Sequence, residues 1–158
     1  MDDGVRVVSN WSTLVESFNT STLGFYELVE RNVEKRQAPD IKFSRKNLSE
    51  SHIFSSSREY LMARRKKFTF AICSAPYGTG QFFSWWLVEE QSFLERMMRA
   101  IPILNRLYES ATAYETFYQA DTRSMFRLTL QEAVKESIEE LTSAQGRRLL
   151  PNQLTPAA

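Results

Sequence analysis

A stretch of twenty-one residues without a charged side chain, from Phe68 to Val88, constrains the fold of this 158-residue chain more than any other feature. Residues 68–75 alternate between large and small side chains, which predicts a strand with one bulky and one small face. Residues 76–80 contain the proline and the two glycines of a turn. Residues 81–88 are aromatic and β-branched, which predicts the return strand. The window is therefore predicted to be a β-hairpin whose bulky face fills the core.

The length of this window alone would also allow a membrane span, which needs about twenty apolar residues. Its polar, helix-breaking centre argues against a span, because lipid cannot satisfy the backbone of an open hairpin. A hairpin buried on both faces is the simplest alternative. The neighbouring pairs Phe82-Phe83 and Trp85-Trp86 complicate it, because adjacent strand residues face opposite ways. One of the two faces then needs cover from a helix, a second subunit or a lipid surface.

Two further strands are predicted before the hairpin. Residues 40–44 alternate polar and apolar side chains, as in a half-buried strand, and the polar, serine-rich residues 45–57 are predicted to be a loop. Residues 58–67 are compatible with a helix or a strand, and we favour a strand because strands need partners nearby. Residues 1–20 are predicted to be a poorly defined arm, in which Val5 to Val8 could form a short strand.

Three helical regions are predicted from apolar residues at three- and four-residue spacing. Their limits, set by capping and helix-breaking residues, are Ser21 to Pro39, Ser92 to residue 119 with a kink or restart at Pro102, and Asp121 or Thr122 to Gly146. The apolar stripe of the last helix comprises Met125, Phe126, Leu130, Ala133, Val134, Ile138 and Leu141. Residues 149–158 are predicted to be a mobile tail.

Strands grouped between helices, with connections too short for crossover helices, are typical of an α+β domain. We expect residues 21–148 to form a single such domain. It would contain an antiparallel sheet of three to four strands, preceded by one helix and covered by two to three C-terminal helices.

Charge is unevenly distributed along the chain, although the net charge is only +1. Residues 31–67 contain eleven Lys or Arg and four Asp or Glu, a local charge of +7. Such a run is a solvated strand end or an anion-binding patch for phospholipid head groups or nucleic-acid phosphates. The candidate anion-binding residues are Arg58, Arg64, Arg65, Lys66 and Lys67.

Residues that support catalysis or metal binding are scarce. Cys73 is the only cysteine and His52 the only histidine, so neither a disulfide within the chain nor a zinc site with its usual ligand spacing can be built. The sequence has no phosphate-binding glycine loop and no nucleophile elbow. The paired carboxylates Glu89-Glu90 and Glu139-Glu140 are adjacent and do not face each other. We expect no enzyme activity, no metal and no cofactor.

The sequence therefore predicts a non-enzymatic adaptor or assembly subunit that presents an aromatic hairpin and a basic strand to a protein partner, possibly a second copy of itself. The candidate partner-binding residues are Phe82, Phe83, Trp85, Trp86, Met97 and Met98. The first alternative is a peripheral membrane protein that binds anionic lipid through the same surface. The second is single-stranded nucleic-acid binding, with phosphates on the cations and bases on the rings. The N-terminus lacks an apolar run, so a cytoplasmic location, possibly at the inner face of a membrane, is the expectation.

Overall fold

The structure, a computed structural model, describes residues 5–49, 57–90, 117–149 and 153–154. Its elements are β1 (Val5–Val15), α1 (Thr22–Lys35), β2 (Lys42–Ser49), β3 (Ser57–Arg65), β4 (Phe68–Tyr77), β5 (Gly80–Glu90) and α2 (Phe117–Ala144). The strands form one antiparallel sheet in the order β1-β5-β4-β3-β2. The predicted α+β class is therefore confirmed.

One face of the sheet packs against α1 and α2, and we call it the helix face. Phe25 of α1 contacts Phe83 of β5, with ring centroids 5.0 Å apart. Phe126 of α2 meets Phe70 of β4 edge-on at 6.3 Å. The hydrophobic core fills the space between this face and the two helices. The opposite side carries the alternate residues of each strand, and we call it the Trp86 face.

The first helix forms where the sequence predicts it. The hydroxyl of Ser21 accepts a hydrogen bond from the Gly24 amide at 3.2 Å, which satisfies one of the free donors of the first turn. The apolar residues of the predicted stripe are buried against the sheet: Phe25, Tyr26, Val29 and Val33. The helix ends at Lys35, before Pro39.

The last helix differs from the prediction at its start. It continues without a break from Phe117, so neither Asp121 nor Thr122 caps a new helix. Its end is predicted correctly, because Gly146 adopts a φ of 72°. The Arg147 amide bonds to the Thr142 carbonyl at 2.9 Å, which completes a Schellman-type stop.

Within the predicted stripe of α2 only Met125 lies outside the buried surface. Its side chain is exposed, whereas Leu141 packs against the core and the other five residues are buried. The helix predicted from Ser92, with its kink or restart at Pro102, falls almost entirely outside the described residues.

The sheet is larger than predicted, with five strands instead of three to four. The additional strand is β1, which pairs along β5 where the sequence predicted an arm. Strand β2 extends through Ser49 into the predicted loop, because it pairs residue by residue with β3. The strand preference for residues 58–65 is confirmed, while Lys66 and Lys67 form the turn into β4.

Part of the predicted C-terminal tail packs against the domain. Leu149 contacts the core and Leu154 lies within it. The predicted tail therefore contributes two leucines to the core, since burial of an apolar side chain is favourable wherever the chain passes an apolar surface.

Candidate functional site

The adjacent residues Trp85 and Trp86 lie on opposite faces of the sheet. Trp85 is 1% exposed and stacks on Phe70, with centroids 4.8 Å apart. Phe83, two positions earlier, is fully buried against Phe18 and Phe25. Trp85 and Phe83 are thus core residues, and the helices of this same chain cover them.

Trp86 is 40% exposed and lies on β5, between β1 and β4, on the Trp86 face. In the sheet it pairs with Ala71 on one side and Asn10 on the other, so small or polar residues flank the indole. Phe82, four residues earlier on the same face, is partly buried, and its β1 partner Leu14 is 39% exposed. These rings and the leucine form an apolar surface that the helix layer of α1 and α2 does not cover.

Cations occupy the β2–β3 side of the same face. Met62 pairs with Ala71, which pairs with Trp86, so Met62 lies on the Trp86 face. Because side chains alternate along a strand, Arg58 and Arg64 of β3 share this face with Met62, and so do Lys42 and Lys46 of the paired strand β2. Lys42 stands directly opposite Arg64 in the ladder. Two like charges in that position destabilise a sheet unless another charge compensates them.

The basic run predicted to bind anions is partly neutralised within the chain. Arg64 forms an ion pair with Glu90 at 2.5 Å, and Lys67 forms one with Glu89. Glu89 also pairs with Arg6 of β1. Burial alone would raise the pKa of Glu89, but hydrogen bonds and charges from Lys67 and Arg6 outweigh it, so the pKa is lowered. Glu89 and Glu90, for which the sequence predicted no role, therefore neutralise part of this run.

The two remaining residues of the run lie apart from Arg64 and Lys67. Arg65 lies on the helix face, because it continues the alternation that places Leu61 and Ala63 there. Its Nε atom is buried without a hydrogen-bond partner. Lys66 is exposed in the turn, with a φ of 54°. The structure does not bring these two residues together on one face with Arg58.

Three cations on the Trp86 face have no ion pair with the residues that the structure describes. They are Lys42, Lys46 and Arg58, whereas Arg31, Lys35, Arg36, Arg45, Arg64 and Lys67 each pair with a glutamate. Lys42 and Lys46 are not among the candidate residues predicted from the sequence. Their alternation with Phe43 and Arg45 could have indicated that they share a face, but it extends beyond residues 40–44, where the strand was predicted.

Two titratable groups, the phenol of Tyr60 and the thiol of Cys73, lie near enough to Arg58 for its charge to act on them. Burial raises the pKa of Cys73 and of Tyr60, and the charge of Arg58 only partly offsets it. Cys73 is fully buried, which makes it a poor nucleophile at neutral pH.

The other predicted features are outside the described residues or without a counterpart in them. Met97, Met98 and His52 lie outside the described ranges. Within those ranges, no three His, Cys, Asp or Glu side chains are grouped closely enough to hold a metal ion. The described helices include none with the length and apolar character of a membrane span.

Comparison of the chain with protein-family models, with curated proteins and with solved structures returned no match. Any statement about function therefore depends on the geometry of the Trp86 face.

Proposed function

We propose that this protein is a non-enzymatic assembly subunit that binds a protein partner through the Trp86 face of its sheet. The observation that carries the proposal is the position of Trp86, a large ring left 40% exposed on β5, which is hydrogen-bonded on both sides within the sheet. Desolvation of such aromatic side chains supplies much of the binding energy at protein interfaces. The partly buried Phe82 and the exposed Leu14 extend the apolar surface on either side of the hairpin end.

The charges on this face favour an acidic partner. Lys42 and Lys46 lie on the edge strand β2, on the same face as the apolar surface but separated from β5 by two strands, and they have no ion pair with the described residues. A partner that places carboxylates against these lysines and an apolar side chain against Trp86 matches both halves of the face.

Site-specific photo-crosslinking tests this proposal. A benzoylphenylalanine at position 82 replaces one aromatic ring by another on the proposed surface, and the same group at position 128 serves as the control. Leu128 is 48% exposed on α2, on the opposite layer of the domain. We expect a discrete adduct with one acidic protein from position 82 only. The same adducts from both positions, or none from position 82, would overturn the proposal.

The lysines are tested in the same assay. Changing Lys42 and Lys46 together to glutamate should abolish the adduct, because the favourable charge pairs become repulsive. Trp86→Ala should have a similar effect, while Leu128→Ala should have none. An adduct unchanged by both face variants contradicts the assignment of the surface.

Three other occupants give distinct results. An adduct at twice 18.4 kDa from position 82 identifies a second copy and refutes the acidic partner. Flotation of the purified chain with anionic but not neutral vesicles supports the membrane alternative. Salt-sensitive binding of single-stranded DNA that the two lysine changes remove supports the nucleic-acid alternative.

A further inference from the structure

A cavity of about 330 Å³ opens on the Trp86 face at the end of the sheet near the β4–β5 turn. Four strands contribute to its wall, and the residues that line it are Leu14, Arg58, Ala75, Pro76, Tyr77 and Phe82. Five of the six contribute aliphatic or aromatic surface. Arg58 is the only charged residue among them, so the cavity is an apolar site with a single positive group.

The cavity lies where β3 separates from β4. The ladder between these two strands ends where Leu61 pairs with Ile72, although β4 continues beyond that point. The hydroxyl of Tyr26 takes the place of the next backbone bonds: it accepts from the Ser74 amide at 3.2 Å and donates to the Glu59 carbonyl at 2.6 Å. The phenol holds the strands apart on the helix side, and the space between them opens on the Trp86 side.

Arg58 is available to a ligand in this cavity. Continuing the β3–β4 register past its last pair would place Arg58 opposite Ala75, and the separation of the strands leaves both on the cavity wall. Among the described residues no carboxylate pairs with Arg58, whereas Arg45 on the neighbouring strand pairs with two glutamates.

We propose that this cavity binds a medium-chain monocarboxylic acid, of about six to ten carbons, with its carboxylate on Arg58. A guanidinium binds a carboxylate through two parallel hydrogen bonds, which neither an alcohol nor an amine can reproduce. The alkyl chain would lie along Leu14, Pro76 and Phe82, where its burial is favourable. The volume is near the lower end of the range of about 300–1,000 Å³ for ligand pockets, which suits a chain of this length.

Isothermal titration of the purified chain tests the site, with octanoate as the probe and with octanol and octylamine as its neutral and cationic counterparts. We expect octanoate alone to bind at submillimolar concentration. Each added methylene between butanoate and octanoate should strengthen binding about fourfold, the factor for burying one such group. Equal binding of octanol and octanoate, or no binding of octanoate, would overturn the proposal.

Two variants separate the charge from the cavity. Arg58→Gln keeps most of the side-chain length and should weaken octanoate binding about tenfold or more, because a charge-assisted pair is lost. Ala75→Leu fills the cavity and should abolish binding with Arg58 still present. Lys66→Gln is the matched control, since it removes one positive charge from the exposed turn between β3 and β4, at the opposite end of β4 from the cavity. Unchanged binding by Arg58→Gln, or an equal loss in Lys66→Gln, rules the site out.

This inference does not depend on the proposed protein partner. The ligand is tested with the purified chain and the variants Arg58→Gln and Ala75→Leu, whereas the partner is tested by crosslinking with changes at Lys42, Lys46 and Trp86. NMR spectra of labelled protein show where octanoate binds. Shifts confined to the amides of Ala75, Tyr77 and Phe82 support the cavity, while shifts centred on Trp86 contradict it.

Discussion

The two adjacent tryptophans should differ sharply in what they contribute to stability. A fully enclosed tryptophan removes about 200 Å² from water, which corresponds to about 5 kcal/mol, and truncation of such residues to alanine costs about 3–5 kcal/mol. Trp85 is 1% exposed and stacked on Phe70, so we expect Trp85→Ala to lower the free energy of unfolding by about 4 kcal/mol. Trp86 is 40% exposed and its removal leaves no closed cavity. We expect Trp86→Ala to cost about 2 kcal/mol or less.

Urea denaturation followed by far-UV circular dichroism measures this difference without depending on tryptophan fluorescence. With a slope of about 2 kcal/mol per molar, the midpoint should fall by about 2 M for Trp85→Ala and by about 1 M or less for Trp86→Ala. A domain of this size has a total stability of about 5–15 kcal/mol, so Trp85→Leu provides a milder second variant. Equal losses at the two positions, or a larger loss at Trp86, would refute the assignment of the faces.

Three further perturbations have defined outcomes. Because the pKa of Glu89 is lowered, its ionised carboxylate stabilises the fold above the ordinary carboxyl value of 4.5, and this stabilisation is lost as pH falls. Glu89→Gln should therefore cost about 1 kcal/mol at pH 7. Denaturation at pH 7 and pH 3 tests whether the difference from wild type vanishes in acid, as we expect. Tyr26→Phe leaves the Ser74 amide and the Glu59 carbonyl unpaired; we expect a loss of about 1–3 kcal/mol and faster hydrogen exchange at Ser74, and an unchanged exchange rate contradicts the bridge. Gly80→Ala should lower the melting temperature, because a β-carbon at Gly80 would lie 2.7 Å from a backbone oxygen.

The elements that could be predicted are those whose own residues carry the folding signal. Helix α1 has a cap at Ser21 and an apolar stripe with one face, and both act locally. Strand β4 alternates large and small side chains between Phe68 and Ala75 and lies inside the sheet. Its large residues lie in the core and its small residues on the other face, as the sequence pattern predicts.

The elements that the sequence did not predict in full depend on pairing with neighbouring strands. β1 and β2 are edge strands with mostly exposed side chains, so β1 was predicted only as an arm, and the alternation of residues 40–44 marked only the start of β2. A register shift between Val7 and Ser9 also interrupts the period of β1. In α2, Asp121 and Thr122 have the composition of a cap but lie within a helix that begins at Phe117.

The candidate site was predictable in composition but not in arrangement. The sequence identified the aromatic pairs of β5 and the basic run of residues 64–67, and it predicted that Trp85 and Trp86 face opposite ways. It could not show that Glu89 and Glu90 neutralise part of the run, since those carboxylates meet Lys67 and Arg64 only through the pairing of β4 with β5 and β3. Long-range pairing of this kind leaves no local pattern.

Which tryptophan becomes buried is decided outside the strand that contains both. Strand β5 has aromatic residues on either side, so its own pattern fits two registers that differ by one residue. Strand β4 has no such ambiguity, and cross-strand partners share a face. The pair Ile72 with Trp85 therefore brings Trp85 to the core, and the pair Ala71 with Trp86 leaves Trp86 outside.

The turn then fixes the register that β4 selects. Tyr77 pairs with Gly80 across a two-residue connection, and Gly80 lies so close to the Val15 carbonyl that a β-carbon there would be 2.7 Å from its oxygen. A slip of one residue would move a side chain into that space and would bring Ser84 into the apolar core in place of Trp85. The exposure of Trp86 is thus a consequence of packing on the other face, and a partner surface could arise there without further change to the core.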